Sequence, residues 1–122
     1  MTNILLIEDE ASIREMLADE LTSLGYKTFE AENGEEGLHK IMELEPDIVI
    51  CDRAMPRMTG FQLLERLRGV YPQYATMPFV FLTALTDPRD KIAVEPLKAA
   101  AYIEKPVDFE KLDSVIKSLV KA

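Results

Sequence analysis

Short apolar runs alternate along this chain with longer segments in which apolar residues recur at helical spacing. Three runs are continuously apolar, namely Ile4–Ile7, Ile48–Cys51 and Phe79–Leu82. Strands that are buried on both faces have this composition, as in a parallel sheet that is covered by helices. Lys27–Ala31 and Ala100–Glu104 are weaker candidates for strands. The pattern therefore predicts five strands.

The segments between the predicted strands have the spacing and the boundary residues of helices. Gly25 is a typical stop for the first helix, and Asn33 with Glu36 matches a capping box at the start of the second. Thr86-Asp87-Pro88 predicts the start of a fourth helix, and Asp108 predicts a cap for the fifth. Apolar residues that follow the helical spacing are Ile13, Met16, Leu17, Leu21, Leu24, Leu38, Ile41, Met42, Phe61, Leu64, Leu67, Val70, Phe109, Leu112, Val115, Ile116, Leu119 and Val120.

Strict alternation of strands and helices predicts an α/β fold, a doubly wound parallel sheet with helices on both faces. The length of 122 residues is typical of one domain, and no repeat or linker divides the chain. We therefore expect residues 1–122 to form a single domain. Ligands of such folds bind beyond the carboxyl ends of the strands.

Polar residues follow four of the predicted strands. Glu8-Asp9-Glu10 comes after the first, Asp52 after the third, Thr83 at the end of the fourth and Lys105 after the fifth. Each has an ordinary structural explanation when taken singly, since acids favour a helix start and aspartate favours a turn. Together they predict a site at which a cation, best Mg²⁺, offsets the repulsion between carboxylates. A carboxylate beside Mg²⁺ can attack a phosphoryl group, whose oxygens a lysine and a hydroxyl can bind.

Composition and charge exclude several other functions. A formal net charge of −8, with the acids concentrated in residues 1–52, disfavours broad binding to nucleic acid or anionic lipid. No apolar run is long enough for a membrane span, and the N-terminus lacks the basic region of a signal peptide. The single cysteine, Cys51, is predicted to be an inert core residue, and its solitary presence is typical of a reducing, cytoplasmic location.

With these residues at the ends of its predicted strands, namely Glu8-Asp9, Asp52, Thr83 and Lys105, the sequence resembles the CheY-like receiver domain of two-component response regulators. The resemblance covers essentially the whole chain. The most specific part is Asp52-Arg53-Ala54-Met55-Pro56-Arg57-Met58-Thr59-Gly60, which matches the family run D-x-x-M-P-x-M-x-G. Glu8-Asp9, Thr83-Ala84, Tyr102 and Lys105-Pro106 follow in the family's order. The resemblance implies a flavodoxin-like (βα)5 fold with strand order 2-1-3-4-5.

The resemblance also implies a role for each residue of the predicted site. Asp52 would accept a phosphoryl group from a histidine kinase or a histidine phosphotransfer protein. Asp9, Asp52 and the backbone carbonyl of Ala54 would bind Mg²⁺ directly, and Glu8 would act through a metal-bound water. Lys105 would pair with the phosphoryl oxygens. Phosphoryl transfer to its own Asp52 and slow self-dephosphorylation are the only catalysis expected of the chain, so it is not expected to be an enzyme.

The resemblance further implies a two-state switch. Thr83 would move to hydrogen-bond the phosphoryl group, and Tyr102 would rotate into the vacated space. This movement would change the surface formed by the fourth helix, the fifth strand and the fifth helix. A downstream protein or an output domain would recognise the changed surface. A homodimer through this face is left open, and no direct contact of this domain with nucleic acid or membrane is expected.

Three features depart from the family pattern or bear on the lifetime of the phosphoryl group. Lys98-Ala99-Ala100-Ala101 replaces the frequent Gly-Ala-Asp-Asp, and Pro96 interrupts the fourth helix, which is predicted to be short or distorted. Ala54 and Leu85 lack polar groups that could orient an attacking water. Slow self-dephosphorylation is therefore predicted.

Other classes of function fit less well. A phosphatase of the haloacid-dehalogenase type needs a second aspartate two residues after the first, where this chain has Ala54. A nucleotide-binding module needs a glycine-rich loop after the first strand, where Glu8-Asp9-Glu10 stands instead. A receiver-like interaction scaffold with atypical output coupling stays as the alternative, because Pro96 alters the output face.

Overall fold

The computed structural model describes residues 2–52, 58–74, 76–83, 101–104 and 106–120. Within these ranges, parallel strands form one sheet in the order β2-β1-β3-β4-β5, which confirms the predicted doubly wound α/β fold. The strands are β1 Asn3–Ile7, β2 Lys27–Ala31, β3 Ile48–Asp52, β4 Phe79–Thr83 and β5 Ala101–Glu104.

In the described ranges, helices connect β1 to β2, β2 to β3 and β3 to β4, and a further helix follows β5. The described helices are α1 Ala11–Ser23, α2 Gly34–Leu44, α3 Gly60–Val70, a short 3-10 turn Pro72–Tyr74 and the C-terminal helix Phe109–Leu119. The predicted fourth helix, including Thr86-Asp87-Pro88 and Pro96, lies outside the described residues. None of the helices in the described ranges is both long enough and apolar enough to cross a membrane.

Local side-chain chemistry sets the starts of the helices. The Asn33 side chain accepts a hydrogen bond from the Glu36 N–H at 2.8 Å, while the Glu36 carboxylate pairs with Lys40 at 3.3 Å. The predicted cap is therefore present, but the carboxylate that would complete a capping box is paired along the helix instead. A full capping box does occur at α3, where Thr59 and Gln62 exchange side-chain bonds of 3.1 and 3.0 Å.

The other helix boundaries also follow from single residues. Gly25, the predicted stop of α1, has a φ of 99°, which glycine adopts without steric cost. Asp108 accepts hydrogen bonds from the N–H groups of Glu110 and Lys111, and so caps the C-terminal helix as predicted.

The core consists of two clusters, one on each face of the sheet. Alternate residues of a strand point to opposite faces, so each central strand supplies both clusters. On one face, Leu5, Ile7, Val49, Cys51, Phe79 and Phe81 pack against α2 and α3. On the other face, Ile4, Leu6, Ile48, Ile50, Val80 and Leu82 pack against α1 and the C-terminal helix. The continuously apolar runs are thus explained by burial on both faces.

The helical spacing in the sequence predicts more buried apolar residues than the structure shows. Met16, Leu24, Met42 and Val70 follow the spacing but are exposed, and Val70 is 63% exposed. Val70 is the last residue of α3, and the chain then turns so that Tyr74 is buried at this end of the cluster. Spacing defines a face of a helix, whereas the neighbouring elements decide how much of that face they cover.

Candidate functional site

The carboxyl ends of the central strands bring three carboxylates together. Glu8 follows β1 directly, and Asp52 is the last residue of β3. One carboxylate oxygen from each of Glu8, Asp9 and Asp52 lies within 4.8 Å of the others. Glu8 and Asp52 are buried, whereas Asp9 is exposed. The site is therefore acidic, largely buried and open to solvent on one side.

The turn after β1 is held by its own hydrogen bonds. The Glu8 N–H donates to the Ala31 carbonyl oxygen at 3.1 Å, which continues the pairing of β1 with β2 by one residue. The Asp9 N–H donates to Glu8 Oε2 at 3.0 Å, and Arg14 Nη1 donates to the Glu8 carbonyl oxygen at 2.8 Å. The two acidic residues are thus placed by the backbone and by α1.

Cys51 lies in β3 immediately before Asp52. Its Sγ donates to the Asp52 carbonyl oxygen at 3.2 Å. Burial raises the pKa of the Cys51 thiol well above its ordinary value, and the nearby charges of Asp52 and Glu8 raise this pKa further. The thiol is therefore protonated near neutral pH and is not a nucleophile, in agreement with the prediction of an inert core cysteine.

The donor set at this site fits Mg²⁺. All three groups are carboxylates, and hard divalent cations prefer oxygen ligands. Like charges held this close, two of them buried, favour a cation that offsets their repulsion. Two other predicted members of the site, the Ala54 carbonyl and Lys105, lie outside the described residues.

Thr83 and Tyr102 lie on β4 and β5, the two strands that follow β3 in the order of the sheet. Thr83 is buried at the end of β4. Tyr102 lies on β5, where it is paired in register with Phe81 of β4. The Tyr102 ring stacks on the Phe81 ring with 5.9 Å between the centroids and 19° between the planes. Because Phe81 and Thr83 are two residues apart on one strand, Thr83 and Tyr102 lie on the same face of the sheet.

Arg14 is a residue of this site that the sequence alone did not indicate. It lies in the first half of α1 and reaches back to the Glu8 carbonyl. Only three basic residues occur in the acidic segment 1–52, namely Arg14, Lys27 and Lys40. The position of Arg14, one helical turn after Glu10, indicates that a basic side chain lies near the acidic residues. It does not show which group the guanidinium contacts.

Comparison with known proteins places this geometry in a family. The family model for the response regulator receiver domain matches residues 4–117. The chain belongs to the response regulator receiver domain family, as the resemblance implied. It is 36% identical over 118 residues to the probable transcriptional regulator ycf27 of Porphyridium aerugineum, with 97% of this chain and 48% of the relative covered.

A second curated relative has the same proportions. The KDP operon transcriptional regulatory protein KdpE of Escherichia coli is 33% identical over 117 residues, with 96% of this chain and 50% of the relative covered. The chain thus spans about half the length of the curated relatives it matches.

Solved structures agree with the family assignment. The chemotaxis protein CheY4 of Vibrio cholerae has a TM-score of 0.91 and 32% identity, with 98% of both chains covered. The response regulator TrrA of Thermotoga maritima, solved in complex with Mg(2+)-BeF, has a TM-score of 0.86 and 34% identity, with 98% of this chain and 99% of that chain covered. The chain functions as a phosphorylation-activated receiver of two-component signalling.

Proposed function

We propose that Asp52 is the phosphoacceptor of this receiver and that Mg²⁺ binds beside it. The observation that carries the proposal is the approach of the Glu8, Asp9 and Asp52 carboxylates to within 4.8 Å of one another. An interaction scaffold has no need of such a repulsive arrangement, so the scaffold alternative is disfavoured. The Mg(2+)-BeF complex of the relative TrrA supports Mg²⁺ as the ion.

The proposed reaction transfers a phosphoryl group to an oxygen of Asp52. This oxygen attacks the phosphorus of a phosphohistidine, the P–N bond breaks, and the imidazole leaves with the electron pair of that bond. The product is an acyl phosphate on Asp52. Mg²⁺, when bound, supplies positive charge to the phosphoryl oxygens. Asp9, Asp52 and the Ala54 carbonyl are the proposed direct ligands, and Glu8 acts through a bound water.

Lys105 and Thr83 are proposed to stabilise the phosphoryl group. Lys105 contributes a positive charge to the phosphoryl oxygens, and the Thr83 hydroxyl donates a hydrogen bond to them. Tyr102 is proposed to rotate toward the space that Thr83 leaves, because the two residues lie on one face of adjacent strands. The rotation would separate Tyr102 from the Phe81 ring, on which it stacks in this structure.

The proposed partners act before and after this switch in the signalling sequence. A histidine kinase or a histidine phosphotransfer protein donates the phosphoryl group, and a downstream protein or an attached output domain reads the surface around β5 and the C-terminal helix. An output domain is supported by relatives about twice as long as this chain. Residues 1–122 are proposed to be one cytoplasmic receiver domain that contacts neither nucleic acid nor membrane itself.

The chain should acquire one phosphoryl group from acetyl phosphate when Mg²⁺ is present. Intact-mass spectrometry of the purified chain should show a single adduct that is stable in acid and labile in base, as an acyl phosphate is. Peptide mapping should locate the adduct at Asp52. Parallel samples with EDTA in place of Mg²⁺ should stay unlabelled. Absence of an adduct, or equal labelling in EDTA, would contradict the proposed function.

Hydrolysis of this adduct should be slow. Ala54 and Leu85 offer no polar group to orient a water, so Ala54→Asn and Leu85→Asn, singly and together, should shorten the lifetime of the phosphoryl group severalfold. The lifetime is measured by mass spectrometry after removal of acetyl phosphate, with Mg²⁺ retained. The exposed substitution Val70→Asn serves as the control and should leave the lifetime unchanged. A short lifetime that both polar substitutions leave unaltered would show that other groups set the rate.

A further inference from the structure

The Arg14 side chain connects the turn after β1 with strand β2. It is only 15% exposed, and its Nη1 donates to the Glu8 carbonyl oxygen at 2.8 Å. Its Nε lies 3.3 Å from Glu30 Oε1. Glu30 is held in turn, because its backbone carbonyl accepts a hydrogen bond from the Lys40 ammonium on α2. The guanidinium is therefore fixed at two points, one of which is part of the acidic site.

The group that Arg14 holds is the peptide bond between Glu8 and Asp9. The carbonyl of this peptide accepts from Arg14, and its N–H donates to Glu8 Oε2 at 3.0 Å. A peptide bond is planar, so these two bonds together determine the rotation of the whole unit. That rotation sets where the Glu8 and Asp9 side chains begin. Glu8 is buried, and loss of the Arg14 donor would remove a hydrogen bond from a carbonyl that water reaches poorly.

We propose that Arg14 is a positioning residue for the Mg²⁺ site. It acts through the Glu8–Asp9 peptide and does not touch the ion, so it is not a catalytic residue. This inference rests on the proposed function, since it concerns the same carboxylates. Removal of a group that orients a metal ligand without touching the metal commonly lowers the metal affinity by about tenfold or more.

The electrostatic effect of Arg14 and its positioning effect predict opposite changes in Mg²⁺ affinity when the side chain is removed. A positive charge near a cation site opposes binding of the cation, so loss of this charge alone would tighten Mg²⁺ binding. Loss of a residue that orients the ligands would weaken Mg²⁺ binding. The sign of the change in affinity therefore separates the two roles.

Arg14→Gln should raise the Mg²⁺ dissociation constant of the chain by roughly tenfold. Mg²⁺ is titrated into the folded chain without phosphodonor, and binding is followed by calorimetry and by the NMR shift of the Asp9 amide. Arg14→Lys keeps the charge but supplies one compact donor group in place of the planar fork, so we expect an intermediate affinity. Arg66→Gln removes an exposed arginine on α3 as the matched control and should leave the affinity unchanged.

The outcomes distinguish this inference from the proposed function. If the unsubstituted chain binds no Mg²⁺, both are wrong. If it binds Mg²⁺ and Arg14→Gln binds it equally well or more tightly, only the role of Arg14 is wrong. Circular dichroism is used to check that each variant is folded at the titration temperature. If Arg14→Gln does not fold, Arg14→Lys decides, because an affinity equal to that of the unsubstituted chain would then overturn the inference.

Discussion

Asp52→Asn should abolish incorporation of a phosphoryl group from acetyl phosphate in the presence of Mg²⁺. The asparagine amide has nearly the shape of the carboxylate but lacks the charged oxygen that attacks phosphorus. Because the proposed reaction has one nucleophile, the labelled fraction should fall below detection. Intact-mass spectrometry measures the labelled fraction under conditions in which the unsubstituted chain is fully labelled.

The same substitution should stabilise the chain when no cation is present. Asp52 lies close to the Glu8 and Asp9 carboxylates, and removal of one of three neighbouring negative charges relieves repulsion. We expect a gain of about 1 kcal/mol in the free energy of unfolding in EDTA, since Coulomb energies at this separation reach a few kcal/mol. Mg²⁺ should raise the Tm of the unsubstituted chain more than that of the variant, because a ligand stabilises the state that binds it.

Asp19→Asn is the matched control for this experiment. Asp19 is an exposed residue on α1, so the same chemical change there should alter neither the labelling nor the effect of Mg²⁺ on the Tm. Equal labelling of Asp52→Asn and the unsubstituted chain would show that Asp52 is not the phosphoacceptor. Peptide mapping would then identify the labelled group.

Phe81→Ala should have the largest effect on stability among the substitutions considered. Phe81 is fully buried in β4, and its ring packs against Phe79 at a centroid distance of 5.1 Å and against Tyr102 at 5.9 Å. Truncation of such a side chain removes apolar contacts and leaves a cavity, at a cost of about 3–5 kcal/mol. Urea unfolding followed by circular dichroism should therefore show a much lower midpoint with a similar slope.

Val70→Ala provides the contrast with Phe81→Ala. Val70 also follows the helical spacing of the sequence, but it is 63% exposed at the end of α3. Its truncation should change the free energy of unfolding by less than about 0.5 kcal/mol, as is usual at exposed positions. A cost for Val70→Ala comparable to that for Phe81→Ala would mean that this end of α3 is covered in solution.

Much of the fold follows from the order of apolar residues along the chain. The runs Ile4–Ile7 and Phe79–Leu82 are typical of strands with helices on both sides, because both faces of each run are apolar. Parallel strands place their carboxyl ends on one edge of a sheet, so the approach of Asp52 to Glu8 and Asp9 could be expected as well. The motif that begins at Asp52 then led to the family.

Other features depend on contacts that no local pattern contains. The helical spacing could not show that Val70 is exposed while Tyr74 is buried, because this depends on how the chain turns after α3. The Thr59–Gln62 capping box differs from these contacts, because it is a local pattern of residues three positions apart that overlaps the motif beginning at Asp52.

The α/β class, the acidic residues at the strand ends and the family resemblance can all be predicted from the sequence, because they depend on residue type and spacing along the chain. The hydrogen bond from Arg14 to the Glu8 carbonyl and the stacking of Tyr102 on Phe81 follow from the packing of the fold. A hydrogen bond or a ring contact requires a defined distance and direction between two groups that are not adjacent along the chain. These become defined only when α1, β4 and β5 have packed in their places in the fold.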